Sequence, residues 1–125
     1  MMYLLDSNII IYHLNNIPQA TEFISKNFNE SSISIITYYE VLAYGYNSDD
    51  RIKVENFLNI FHIYEIDISI VKKALNNLIS KKIKIADNLI SATAQINNLI
   101  LVTRNVADYS KLEIEMLDIF DSTQK

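Results

Sequence analysis

The chain has no cysteine, one glycine (Gly45) and one proline (Pro18) among its 125 residues. The missing thiol excludes disulfides, zinc fingers, iron–sulfur clusters and thiol catalysis together. A single glycine excludes glycine-rich phosphate loops of both the Walker and the dinucleotide type, which need several. The two histidines, His13 and His62, are too few for a multi-histidine metal site and have no partner at ligand spacing. Bases are scarce too, 11 against 15 acids, for a formal charge of −4 and a pI near 5.0. A general nucleic-acid coat protein is basic, so that class is disfavoured. No apolar run approaches the ~18 residues that cross a bilayer. Asp6 interrupts the apolar N-terminal stretch, which has neither a basic leader nor a small-residue cleavage site. The expectation is a cytoplasmic protein without a membrane segment. Half of the residues are apolar and 21% are charged, enough for one domain over residues 1–125 with a real core. Its chemistry has to come from carboxylates and hydroxyls.

Short apolar strands alternate with amphipathic helices. Residues 2–6 (MYLLD) read as a buried strand, and Ser7 or Asn8 can cap a helix reaching about Leu14. Pro18 suits a first helical turn, with Ala20, Phe23, Ile24 and Phe28 following at helical spacing. Residues 32–36 (SISII) are β-branched and strand-like, and Thr37 opens a helix that Gly45 helps to end. Residues 48–61 carry Ile52, Phe57, Leu58 and Phe61 in one helical stripe, and residues 62–66 (HIYEI) alternate like a strand. Helices follow over 68–80 and 85–97, a buried strand over 99–103 (LILVT) and a short last strand over 115–119. The pattern predicts an α/β domain with a mainly parallel central sheet flanked by helices. Ligands of such sheets bind beyond the carboxyl ends of the strands.

Several acids fall at those ends. Asp6 lies between Leu5 and Ile9, in a stretch otherwise destined for the core, where an isolated carboxylate is costly. Helix capping is one explanation, although Ser7 and Asn8 offer the same service. Glu40 stands three residues after Thr37, which is either a capping box or a carboxylate facing Asp6 from a first helical turn. Asp87 falls in a first turn too, ahead of Ser91, Ala92 and Ala94, small residues that suit close packing on a sheet. Asn105 and Asp108 come just past the LILVT strand. The other acids fit solvated faces or helix starts. The tyrosines Tyr38, Tyr39, Tyr44 and Tyr46 suit packing better than base stacking. Carboxylates converging from separate segments repel one another and raise each other's pKa, and a divalent cation relieves that. An all-oxygen donor set suits Mg²⁺ or Mn²⁺, and the matching chemistry is metal-assisted phosphodiester cleavage.

The order of these segments resembles the PIN domain nucleases, and within them the small VapC-like toxins of bacterial toxin–antitoxin pairs. Residues 3–12 (YLLDSNIIIY) are similar to that family's opening, with Ser7 where threonine is commoner. Residues 34–40, 87–94 (DNLISATA) and 101–105 (LVTRN) with Asp108 and Tyr109 resemble its later motifs, in family order. The resemblance implies a PIN-like (Rossmann-like) three-layer domain and a Mg²⁺-dependent endoribonuclease. It makes Asp6, Glu40 and Asp87 the metal-binding acids and adds Asp108 to the catalytic set, with Asn105 or Asp108 in the fourth acidic position. Ser7, Asn8, Thr103 and Asn105 then orient carboxylates or waters, and Lys81, Lys82, Lys84 and Arg104 guide the RNA backbone. A homodimer is implied, inhibited by a cognate DNA-binding antitoxin whose tail folds over the site. Two other readings compete: a non-catalytic PIN-like interaction module, and a phosphoacceptor receiver domain. A receiver wants paired acids after the first strand and a lysine after the last core strand. Here Ser7 and Arg104 stand at those places. Setting aside Asp6, Glu40, Asp87 and Asp108 leaves 11 acids against 11 bases.

Overall fold

The computed structural model describes residues 2–121. Residue 1 and residues 122–125 of the expected single domain lie outside the described residues. Among the described residues eleven regular elements follow one another: β1 (Tyr3–Leu5), α1 (Ser7–Leu14), α2 (Pro18–Asn27), β2 (Ser31–Ser34), α3 (Ile35–Leu42), α4 (Ser48–Leu58), β3 (His62–Tyr64), α5 (Ile68–Ser80), α6 (Ile85–Ile96), β4 (Ile100–Val102) and β5 (Met116–Leu117). Short 3-10 turns cover Phe28–Glu30 and Val106–Tyr109. The strands form one parallel sheet in the order β3-β2-β1-β4-β5. The three-layer α/β class expected from the sequence is therefore the one observed.

Strand β1 is central, and both its inner residues are fully buried. The two-residue period of a strand sends them to opposite faces. Leu5 packs with Ile9, Ile10, Ala20 and Ile24 of α1 and α2 and with Val54 and Leu58 of α4. Leu4 packs with Ile90 and Ala94 of α6, together with Leu101 and Tyr109. The small residues Ser91, Ala92, Thr93 and Ala94 of α6 are buried, as their size anticipates. A buried amide network joins α5 to α6. Asn77 Nδ2 donates to Asn88 Oδ1 at 3.1 Å and Gln95 Oε1 at 2.8 Å. Asn88 Nδ2 in turn donates to the Ala74 carbonyl at 2.8 Å.

With glycine almost absent, asparagine takes the left-handed positions after two helices: Asn16 (φ 61°) and Asn98 (φ 54°). Two helix starts differ from the sequence expectation. Asp6, rather than Ser7 or Asn8, is the N-cap of α1, and its carboxylate accepts from the Ser7 N–H at 2.7 Å. Ser34, rather than Thr37, caps α3, accepting from the Ile36 N–H at 3.0 Å, so Ile35 and Ile36 are helical. β-Branched residues favour strands only weakly, and the Ser34 hydroxyl ends the strand before they are reached. Ile52 also departs from its expected core stripe: it is exposed, while Val54 and Leu58 supply the buried face of α4.

Chain order sets where ligands can enter. From β1 the chain runs outward through β2 to β3, then returns to β4 and β5 on the other flank. The switch point of the sheet therefore lies between β1 and β4. Burial also divides the surface from the core energetically. Leu101→Ala removes a fully buried side chain from the sheet and should cost about 2–5 kcal/mol in urea unfolding. Ile60→Ser, at a site 63% exposed, should change stability by less than about 0.5 kcal/mol in the same experiment. Equal losses for the two would contradict this core assignment.

Candidate functional site

Asp6 leaves the carboxyl end of β1 and Thr103 leaves that of β4, on the two sides of the switch point. They meet across it: the Thr103 hydroxyl donates to Asp6 Oδ2 at 2.8 Å. Asp6 Oδ1 takes the Ser7 N–H, so both carboxylate oxygens are held. Ser7, freed from capping, turns its hydroxyl to α3. Its Oγ lies 2.6 Å from Glu40 Oε1 and 3.0 Å from Thr37 Oγ1. Thr37 and Glu40 are three residues apart on a helix, so they share a face. The Thr37–Glu40 pair is consequently not a capping box: α3 starts two residues earlier, and Glu40 points across to α1.

Asp87 lies in the first turn of α6 and accepts a hydrogen bond from the Tyr109 hydroxyl. Tyr109 is almost wholly buried, and burial together with Asp6, Asp87 and Asp108 pushes its hydroxyl pKa up. Asp108 is exposed on the 3-10 turn, where its negative charge raises Asp87. Asn105 is exposed too, and its backbone N–H donates to Thr103 Oγ1 at 3.1 Å. Thr37 and Tyr109 are site contacts that sequence reasoning did not single out. Tyr109 stands with Asp108 in the last of the family-like motifs, and that was the available signal.

Of the four cations expected to guide a backbone, two are engaged within the protein. Lys81 Nζ donates to the Ala107 carbonyl at 3.0 Å, and the Arg104 guanidinium lies 4.4 Å from the Phe120 ring centroid. Lys82 and Lys84 are exposed, with Lys84 near enough to lower the Asp87 pKa. His13 is structural: its Nδ1 lies 3.0 Å from Thr21 Oγ1 and its ring stacks on Phe57. Asn8 is half-buried in the first turn of α1.

Electrostatics tie the acids together. Burial, and then the charges of Asp87 and Glu40, push the Asp6 carboxyl up from 3.8 to about 6, against the pull of its Thr103 and Ser7 hydrogen bonds. Burial, with Glu40 and Asp108, raises Asp87 as well. Mutual repulsion is thus present, but desolvation is the larger cause. The ion pairs among the described residues, Lys26–Glu22 and Arg51–Glu55, do not involve these acids. No three acids or histidines among the described residues are gathered closely enough to cage an ion. Charge coupling reaches further than a coordination bond, so the two facts agree. The group fits Mg²⁺ in its usual manner, in which one or two carboxylates bind while several waters stay on the ion. A cleft of about 670 Å³, lined by Ile35, Tyr38, His62, Tyr64 and neighbours, includes none of these acids.

The PIN domain family model matches residues 3–113. The chain belongs to the PIN domain family. A search among curated protein sequences finds no significant match. Solved structures are similar over nearly the whole chain. A chain of a toxin–antitoxin complex from Klebsiella pneumoniae is 26% identical, with a TM-score of 0.86, covering 95% of this chain and 98% of that one. A chain of DNA-bound VapBC from Salmonella typhimurium is 19% identical, with a TM-score of 0.83 over 95% and 98% of the two chains. One of VapBC-1 from nontypeable Haemophilus influenzae is 24% identical, with a TM-score of 0.79 over 97% and 100%. These two show the fold. The PIN assignment displaces the receiver-domain alternative. No helix among the described residues is long and apolar enough to cross a membrane.

A raised carboxyl pKa makes the folded state bind a proton more tightly than the unfolded state. The Asp6 contribution is therefore most favourable below about pH 4 and is lost as pH rises through about 6. Metal-free protein should lose stability across that window. Asp6→Asn should flatten the loss and leave the metal-free protein more stable at pH 7, by on the order of 2 kcal/mol. Thermal unfolding with a chelator from pH 4 to 7 checks both. A wild-type stability that rises over this range would show that Asp6 is not strained by its surroundings.

Proposed function

We propose that this PIN domain is a Mg²⁺-dependent endoribonuclease, the toxin of a cytoplasmic toxin–antitoxin pair. The observation that carries the reading is the charge coupling among Asp6, Glu40 and Asp87. They come from three segments, are coupled in charge, and form no ion pair among the described residues. Asp6 and Asp87 would hold the ion, with Glu40 as a ligand directly or through water, and Mn²⁺ would serve as a substitute. Such an ion would supply polarisation of the scissile phosphate and a lowered pKa for a bound water.

The chain's own residues do the rest. Thr103 and Ser7 fix both oxygens of Asp6, and the Ser7 hydroxyl turns Glu40 inward. Asp108, exposed beside Asp87, takes the proton of the attacking water on its carboxylate and serves as the fourth acid; the Asn105 amide orients water at the loop. Asn8 supports the first turn beside Asp6. Lys82 and Lys84 steer the RNA phosphates toward an acidic site, with Lys81 completing the basic edge. One surface suits a protein partner. The outward face of α5 and the start of α6 expose Ile68, Leu75, Leu78, Ile79 and Ile85, a patch suited to a homodimer. The similar structure from Klebsiella is of a toxin–antitoxin complex, which supports a protein antitoxin as the regulator.

Purified protein should cleave single-stranded RNA with Mg²⁺ or Mn²⁺ and stop with EDTA. Asp6→Asn and Asp87→Asn should each lower the rate at least about 100-fold while circular dichroism stays unchanged. No Mg²⁺ binding at millimolar concentration and no metal-dependent cleavage would leave the non-catalytic interaction module as the correct reading.

A further inference from the structure

Three side chains from three parts of the chain meet beside the Thr103–Asp6 bond. Arg104 follows Thr103 at the end of β4. Its guanidinium carbon lies 4.4 Å from the Phe120 ring centroid and 5.7 Å from that of Tyr12. The two rings meet edge to face, with centroids 5.3 Å apart. Tyr12 belongs to α1, the helix that Asp6 caps. Phe120 follows β5, in a turn where its N–H donates to Asp118 Oδ1 at 2.9 Å and Asp121 N–H to the Asp118 carbonyl at 3.2 Å. Both aromatics pack on the core cluster beneath α1.

We propose that Arg104 is a positioning residue: set over the Phe120 ring and beside that of Tyr12, it clamps the turn of Thr103 and Asn105 against α1 and so holds the Thr103 hydroxyl on Asp6. The proposal rests on the nuclease reading only for its consequence on catalysis. Thr103 Oγ1 is a hinge of two bonds, donating to Asp6 Oδ2 and accepting from the Asn105 N–H. The loop beyond it is exposed at Asn105, Ala107 and Asp108, with Lys81 Nζ on the Ala107 carbonyl as a second tie further along. A guanidinium does this better than an ammonium, because a planar cation stacks on ring faces while a compact, strongly hydrated one does not. The clamp also ties the segment after β5 to the site, a link that the short strand β5 alone, Met116–Leu117, leaves weak.

The test compares Arg104→Lys, Arg104→Gln, Phe120→Leu and the double variant Arg104→Gln/Phe120→Leu with the wild type. The first readout is amide exchange in the metal-free protein, which does not depend on nuclease activity. Exchange at the Asn105 amide should quicken roughly threefold to tenfold in every variant, the size of one or two cation–π contacts. Leu4 and Leu101 amides should keep their rates, since a merely structural defect would speed the whole sheet. Phe120→Leu and Arg104→Gln should be non-additive at Asn105. In the second readout, RNA cleavage, the variants should lower kcat with KM little changed. Arg104→Lys should match Arg104→Gln, although it keeps the charge. Unchanged exchange at Asn105, or full additivity, would overturn the clamp. So would a raised KM confined to Arg104→Gln with normal Phe120→Leu, which is the signature of a direct phosphate contact. Absence of wild-type cleavage would overturn the nuclease reading instead, and the exchange data would still decide the clamp.

Discussion

One hydrogen bond, from the Thr103 hydroxyl to Asp6 Oδ2, closes the sheet at its switch point. Its two residues are 97 positions apart in sequence, yet they are neighbours because β1 and β4 run parallel and in register, Leu5 opposite Val102. Parallel pairing puts the carboxyl ends of both strands on one edge. Any side chain one residue past each strand is then within reach of the other. The carboxylate of Asp6 has two tasks in that place. One oxygen caps α1 and the other takes Thr103, so helix start and sheet edge are fixed by one group. Everything around the site follows: Ser7 is released to face Glu40, α3 is aligned on α1, and the loop carrying Asp108 starts at a defined height.

The fold was largely legible because its strands are short, apolar and bounded by clear helix signals. The helix Ile68–Ser80 begins and ends where the apolar spacing predicts, and the buried strand at LILVT is shortened only at its ends. The start of α3 was not legible. The run SISII has strand-like chemistry throughout, and only the Ser34 hydroxyl bonding two residues ahead decides where the chain turns. That single shift changes the meaning of Glu40. Three residues after Thr37 it looks like a cap. As the sixth residue of a helix it has no capping role, and its carboxylate is left for Ser7.

The acids themselves were legible, since a carboxylate after an apolar strand stands out against its neighbours. Their partners were not. Ser7 with Glu40, Thr103 with Asp6 and Tyr109 with Asp87 join residues 33, 97 and 22 positions apart, and no local spacing encodes such pairs. The same holds for Arg104. In sequence it is a basic residue near an acidic motif, which suggests a phosphate contact. In space its guanidinium meets two aromatic rings, one of them near the far end of the chain.

The choice of partner has its own logic. Each of the three inner acids, Asp6, Glu40 and Asp87, is bonded by a hydroxyl, from Thr103, Ser7 and Tyr109. A lysine or arginine in those places would form a stronger bond and lower the carboxyl pKa. It would also cancel the negative charge. A hydroxyl fixes direction and leaves the charge where it is, so the Asp6 carboxyl stays pushed up to about 6 in spite of two hydrogen bonds. The protein keeps its acids oriented but unneutralised, at a cost in stability that an ordinary core would avoid. An external cation is the one partner that relieves such a charge without disturbing the hydroxyls that aim it. The formal charge of −4 equals that of the four acids at this edge, Asp6, Glu40, Asp87 and Asp108, in a chain otherwise balanced in sign. With the remaining charges equal in number, the rest of the chain carries no net charge that would repel a polyanion, and Lys84 lies near enough to Asp87 to lower its carboxyl pKa.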